Sequence, residues 1–312
     1  MLALVHDPTA PAALRRTELP DPVPAPGEAL LAVSAASLNF LDVAYADAMY
    51  AVGAVPGVDA AGTVVTAAAD GSGPPAGTRV SSFSMGGALA TLRAVATDDL
   101  AVVPDGVEDA VAAALPAAGV TALRAVRRLG SVLGRRVLVT GAAGGVGRYA
   151  VQLAAAAGAH VVAQVGAPAR AAGLRELGAA DVIVSAVPAD LAPVHGVIDN
   201  VGGPVLAAAV AVLAEDGVAL AVGQASGLPT TIDFEAERRR GGRRAVEVFT
   251  VDTGHRGFGA DIEDLLALVA AHRLDPQIGW RGSWERTAEA AEALRGRRVP
   301  GKAVVEISRA GG

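Results

Sequence analysis

Val137-Leu138-Val139-Thr140-Gly141-Ala142-Ala143-Gly144-Gly145-Val146-Gly147 is the stretch whose reading decides the fold. A short apolar run feeds a glycine-rich turn, and a helical pattern over 146–157 follows. Gly144 lets a backbone approach a pyrophosphate without a Cβ in the way, and Gly147 lets helix and strand pack closely. The amides that open the helix then face the phosphates, helped by the helix dipole. Ala143, Gly144, Gly145, Val146 and Gly147 are the residues this turn offers to a dinucleotide. The first glycine of such a turn is replaced by Ala142, unless Gly141 takes that role.

On either side of the turn, apolar strands alternate with helices. Strands are expected over 136–140, 160–165, 181–184, 196–199, 217–222 and 245–249, with a helix over 167–177. Strands apolar on both faces imply a parallel sheet covered by helices, an α/β doubly wound Rossmann domain. Before it, 107–129 reads as helix interrupted near Pro116. The first hundred residues read as short strands with Pro and Gly punctuation, a β-rich domain. After the sheet, helices over 261–272 and 284–294 precede a last strand over 303–307. The arginine-rich stretch 235–244 reads as a solvated surface loop rather than an anion patch.

Cofactor choice is read at the end of the second strand. Val165-Gly166-Ala167-Pro168-Ala169-Arg170 carries no acid to accept from a ribose 2′-hydroxyl, and Arg170 offers a guanidinium to a 2′-phosphate. The expected cofactor is NADPH.

Composition sets limits. The 312 residues suit two domains, and 52% hydrophobic residues suffice for sizeable cores. With no cysteine, disulfides, thiolate chemistry and Cys-ligated metals are excluded. A net charge of −6 argues against nucleic acid and anionic membranes as partners. The start of the chain has no signal-peptide pattern, and the most apolar stretch, 151–165, is too short to span a bilayer. The expected location is cytoplasmic.

Ser37-Leu38-Asn39-Phe40-Leu41-Asp42-Val43, Pro56-Gly57-Val58-Asp59-Ala60-Ala61-Gly62-Thr63-Val64, Gly119-Val120-Thr121-Ala122 and Gly301-Lys302-Ala303-Val304 together resemble the medium-chain dehydrogenase/reductase superfamily. Within it, the chain is most similar to the zinc-free quinone oxidoreductases and the enoyl reductases of polyketide synthases. The resemblance implies a GroES-like catalytic domain, 1–115 completed by 254–312, around a Rossmann NADP(H)-binding domain, 116–253, with the active site in the cleft between them. It implies a homodimer. Zinc-dependent relatives place a cysteine where Ser37 to Asn39 lies and a His-Glu pair after Gly57. Here Val58-Asp59 stands instead, so no metal is expected.

By position, the resemblance puts Asn39 near the nicotinamide and Thr121 at its carboxamide side. It puts Arg170 and Ser185 at the 2′-phosphate. It puts Asn200 and Val201, in the loop Asp199 to Gly203, and Val222 and Gly223 in strand-end loops that line the cofactor, and Lys302, the basic residue near the tail, at the cofactor as well. Tyr50 matches a tyrosine of related enoyl reductases. It supplies the proton that follows hydride addition, or it is an aromatic wall with water as the acid. Asp42, three residues from Asn39, orients the loop. The reaction implied is hydride transfer from NADPH to a quinone or an α,β-unsaturated carbonyl. Two alternatives stand beside it: an enoyl reductase of a polyketide or fatty-acyl pathway, and an NADPH-binding structural or regulatory protein with little turnover.

Overall fold

A computed structural model describes residues 1–251 and 257–308. The chain forms two compact units, Met1–Val120 with Gly254–Gly312, and Thr121–Thr253.

The first unit begins with the antiparallel pair β1 (Leu2–His6) and β2 (Leu14–Glu18). The eleven-residue β3 (Glu28–Leu38) leads into two short helices, α1 (Phe40–Ala44) and α2 (Ala46–Met49). Then come β4 (Asp59–Thr66), β5 (Arg79–Phe83), β6 (Leu92–Ala96), β7 (Leu100–Val102) and α3 (Asp109–Ala113), and the chain passes along α4 (Pro116–Arg128) into the second unit. In the second unit, β8 (Arg136–Val139), α5 (Gly145–Ala156), β9 (His160–Val165), β10 (Ala179–Val184) and β11 (Val194–Asp199) lead to α6 (Gly203–Ala211). It ends with β12 (Leu213–Ala221), α7 (Phe234–Arg240) and β13 (Arg244–Val248). The chain returns to the first unit with α8 (Gly259–Ala270), β14 (Ile278–Ser283), α9 (Thr287–Arg295) and β15 (Lys302–Glu306).

In the first unit, β3 is the hub. It pairs antiparallel with β4, β6 and β15, in a sheet ordered β14-β15-β3-β4-β5-β7. Long strands with small residues (Ala35, Ala36, Ala60, Ala61) let a core of larger side chains close over the sheet. Trp284, Leu38, Leu89 and Val305 are buried there, each large apolar side chain contributing roughly 1.5–3 kcal/mol. Pairing β15 with β3 brings Lys302 beside the end of β3, where Asn39 follows.

In the second unit, all six strands run parallel in the order β10-β9-β8-β11-β12-β13. Numbered within the unit this is 3-2-1-4-5-6, the doubly wound order whose switch point lies between its first and fourth strands, β8 and β11. Val137, Leu138 and Val139 on β8 and Val197 and Ile198 on β11 are fully buried, as the continuous apolar runs require. Among the described residues, no helix is long and apolar enough to cross a membrane.

Two expectations fail. The helix over 167–177 is only a short 3₁₀ turn, Pro168–Arg170, followed by further turns. Gly173 adopts φ +76°, which interrupts a right-handed helix, and Arg148 Nη2 captures the Ala172 carbonyl at 2.9 Å. The stretch 235–244, expected as a loop, is α7 and the start of β13. Asp233 caps α7 by accepting from the amides of Glu235 and Ala236, and Glu237 pairs with Arg240 one turn on.

Candidate functional site

In the second unit the site is built around the turn between β8 and α5. Gly141 has φ +58°, so it, and not Ala142, is the turn glycine. Its amide donates to Gln164 Oε1, and Ala142 N donates to the Gln164 carbonyl. Gln164 Nε2 in turn donates to the carbonyl of Ser185 at 2.5 Å, so one buried glutamine fastens the ends of β8, β9 and β10. A Cβ on Gly147 would stand 2.5 Å from Gly141 O and 2.7 Å from Ala142 Cα, so helix and turn touch backbone to backbone there. A Cβ on Gly144 would meet only Gly141 O, at 3.4 Å, and Gly144 is exposed. Gly144 is the N-cap of α5, no side chain among the described residues caps it, and no acid sits in the first turn. An uncapped helix start beside an open glycine, at the switch point of a doubly wound sheet, suits an anionic phosphate group.

Across the switch point, Asp199 ends β11 fully buried. It accepts from Thr140 Oγ1 (2.5 Å) and Gly202 N (2.7 Å), while its carbonyl accepts from Val222 N and Gly223 N. Burial raises its pKa, and the donors from Thr140, Gly202 and Val201 oppose that shift. Asn200 donates from its backbone to Thr140 Oγ1 and from Nδ2 to the Thr140 carbonyl. Asn200, Val201, Val222 and Gly223 are thus brought together with the glycine turn, each half-buried. At the end of β9, Gly166 is exposed, and a Cβ there would meet nothing within 4 Å. Arg170 is half-buried in the turn that follows. Ser185, exposed after β10, has φ +76° and donates its amide to Val165 O. Thr121 is half-buried on α4.

The first unit holds a second cluster, of buried charges. Asp42 sits on α1, where its Oδ2 accepts from the Asn39 amide at 2.8 Å and its own amide donates to the Asn39 carbonyl. Its Oδ1 accepts from the Tyr50 hydroxyl at 2.7 Å, and that hydroxyl accepts from Gly57 N at 3.3 Å. Burial pushes the Asp42 carboxyl up to about 6, against the lowering effect of the hydrogen bonds from Tyr50 and Asn39. The Tyr50 phenol is pushed up from its usual range, first by burial and then by the Asp42 charge. Asn39 Nδ2 donates to Asp59 Oδ2 at 2.9 Å, and its Oδ1 accepts from Lys302 Nζ at 2.5 Å. Lys302 also donates to Asp59 Oδ2 at 3.3 Å, and Asp59 Oδ1 accepts from Ala117 N, at the start of α4, at 2.8 Å. Arg93, only 2% exposed, donates to the carbonyls of Val58, Ser84 and Gly86 and to Ser82 Oγ. Burial pushes its guanidinium down to about 10, still cationic at neutral pH.

Sequence reasoning named Asn39, Asp42, Tyr50 and Lys302, and the fold gathers all four. Lys302, expected at the cofactor, is 2% exposed and spends its ammonium on Asn39 and Asp59. Asp199 was named only as part of a loop lining the cofactor, and Asp59, Arg93, Thr140 and Gln164 were missed. Asp199 and Thr140 had a signal, since polar residues at the carboxyl ends of otherwise apolar strands point toward the switch point.

The residues present do not make a catalytic zinc site. The chain has no cysteine, and Asp59, where zinc-dependent relatives carry the Glu of their His-Glu pair, is saturated by Lys302, Asn39 and Ala117. Among the described residues, no three His, Asp or Glu side chains converge as metal ligands.

Two family profiles match in chain order: the alcohol dehydrogenase GroES-like domain over residues 25–105 and the zinc-binding dehydrogenase family over residues 177–305. An erythronolide synthase from Saccharopolyspora erythraea is 36% identical over 271 residues, covering 81% of this chain and 7% of that protein. A chloroplast envelope quinone oxidoreductase homologue from Arabidopsis thaliana is 40% identical over 172 residues, covering 50% of this chain and 52% of that one. The matches thus span about half of the plant relative and a small part of the synthase. A mycobacterial protein complexed with NADPH superposes with a TM-score of 0.84 at 26% identity, covering 98% of this chain and 99% of that one. With its GroES-like β-rich unit and its doubly wound parallel sheet, the chain belongs to the medium-chain dehydrogenase/reductase superfamily.

Proposed function

We propose that the chain is a zinc-independent, NADPH-dependent oxidoreductase that delivers a hydride to a quinone or an α,β-unsaturated carbonyl. The observation that carries the reading is the start of α5, an uncapped helix N-terminus beside an exposed glycine at the switch point. Its amides fit a dinucleotide pyrophosphate. The end of β9 supports the phosphorylated cofactor, because Gly166 leaves open space where an NAD site places its acid and Arg170 follows. The mycobacterial neighbour that binds NADPH supports the same choice.

Once bound, the nicotinamide supplies the hydride. What the chain supplies is positioning and charge. Amides of 145–147 hold the pyrophosphate, and Arg170 meets the 2′-phosphate. Asn39 orients the cofactor through a side chain whose amide is held at both ends. Tyr50 retains its proton, donating it in a hydrogen bond to Asp42, and braces α1, so water supplies the proton that the reduced acceptor takes up.

A second reading, an enoyl reductase acting on acyl thioesters, is favoured by the likeness to the erythronolide synthase across 81% of this chain. One set of assays decides. NADPH and NADH are titrated against the protein, and NADPH consumption is followed with phenanthrenequinone and with an enoyl thioester. Tighter binding of NADH overturns the cofactor assignment. Turnover with the thioester alone favours the second reading, and binding without oxidation of NADPH by either acceptor overturns both.

A further inference from the structure

We propose that Asp59 is a positioning residue, which acts with the buried Lys302 ammonium to lock the side-chain amide of Asn39 in one of its two flip states. The inference rests on the reading above in giving Asn39 a role toward the cofactor. The lock itself follows from the chemistry of three side chains.

An asparagine amide has nearly the same shape after a half-turn about its last bond, but the half-turn exchanges donor for acceptor. The partners of Asn39 are not interchangeable. Lys302 Nζ, which only donates, lies 2.5 Å from Oδ1, and ionised Asp59, which only accepts, lies 2.9 Å from Nδ2. Flipping the amide would set NH₂ against the ammonium and C=O against the carboxylate. Two charge-assisted hydrogen bonds would become two repulsions in a buried setting, where Asp59 is 0% and Lys302 2% exposed. Asp59 is itself fixed by its third donor, Ala117 N, and by the 3.3 Å contact from Lys302. The locked amide keeps one N–H and one Oδ1 lone pair for a ligand, in a fixed order.

If Asp59 acts through Asn39, its loss matters little once Asn39 is gone. The experiment is a double-mutant cycle of Asp59→Asn and Asn39→Ala. It reads kcat with phenanthrenequinone, the NADPH dissociation constant and the melting temperature. Asp59→Asn is expected to lower kcat roughly 10–100-fold, the scale of a misplaced positioning group. The NADPH dissociation constant should stay within about threefold, since the pyrophosphate and 2′-phosphate contacts lie elsewhere. On the Asn39→Ala background, the same change should lower kcat less than about threefold. Because Asp59→Asn leaves the Lys302 charge buried alone, the pair Asp59→Asn/Lys302→Met runs in parallel. It removes both charges, keeps the fold and should reproduce the fall in kcat. Multiplicative losses in the cycle, or a charge-free pair with wild-type kcat, would overturn the lock. Wild-type protein that does not bind NADPH would instead remove the functional reading itself.

Discussion

Tyr50 and Asp42 share a hydrogen bond of 2.7 Å in the interior of the first unit, with the phenol as donor. The phenol is an aromatic brace between α1 and the loop that carries Gly57, because its oxygen also accepts the Gly57 amide. A proton donor needs the opposite: a hydroxyl facing its acceptor, with an acidity near the working pH. Here burial and the neighbouring carboxylate weaken the acidity of the phenol.

The first prediction separates these roles. Tyr50→Phe should lower kcat less than about tenfold, short of the 10²–10⁴-fold that general acid catalysis contributes. It should also destabilise the protein by about 1–3 kcal/mol, because Asp42 and Gly57 N lose a buried partner. Steady-state kinetics and urea unfolding measure the two. A thousandfold fall in kcat with unchanged stability would restore the acid.

The second concerns pH. The Asp42 carboxyl rises from 3.8 to about 6 in the fold because it is buried. A group raised in this way stabilises the protein fully below its unfolded pKa, and the stabilisation is lost as pH rises through the folded value. Relative to Asp42→Asn, the wild type should therefore lose up to about 3 kcal/mol between pH 3.8 and about pH 6, then run parallel. Urea unfolding of both proteins across that range gives the difference. A difference that grows in favour of the wild type with rising pH would contradict the buried carboxyl.

Legibility in the sequence divides along the same physical lines. β8, β9 and β11 could be read because a strand buried on both faces must be apolar throughout. The helix expected over 167–177 failed because Ala and Leu favour helix locally, while Gly173 in a left-handed conformation and the side chain of Arg148, more than twenty residues earlier, decide otherwise. α7 was readable in hindsight: Asp233 is a capping residue, and Glu237 and Arg240 are one turn apart. The lock on Asn39 was not readable. Asp59 and Lys302 are 243 residues apart, and nothing in either local pattern says that β15 will lie against β3.

The third prediction uses the vacant position after β9. Gly166 has no left-handed backbone, and a Cβ there would meet nothing within 4 Å, so Gly166→Asp should fold with an unchanged melting temperature. The new carboxylate would repel a 2′-phosphate and accept from a 2′-hydroxyl. NADPH should bind at least about tenfold more weakly, with NADH gaining, since a lost charge-assisted contact is worth about 1.5–3 kcal/mol. Fluorescence titration of both cofactors reads the ratio, and an unchanged preference would move the 2′-phosphate away from this strand end.

The fourth sets two glycines of one turn against each other. Gly147→Ala places a methyl 2.5 Å from Gly141 O and 2.7 Å from Ala142 Cα, and backbone atoms cannot swing aside as a side chain would. The turn must open, at a cost of roughly 1–3 kcal/mol, and the melting temperature should fall. Gly144→Ala meets only Gly141 O at 3.4 Å, and its backbone, φ −79° and ψ 177°, suits alanine. Stability should stay within about 1 kcal/mol of the wild type. Yet the methyl would point into the space where a phosphate must approach the helix start, so NADPH binding should weaken more than about tenfold. Gly147 thus serves the fold and Gly144 the ligand. A folded Gly144→Ala protein with wild-type affinity for NADPH would show that the open space above the turn is not where the dinucleotide binds.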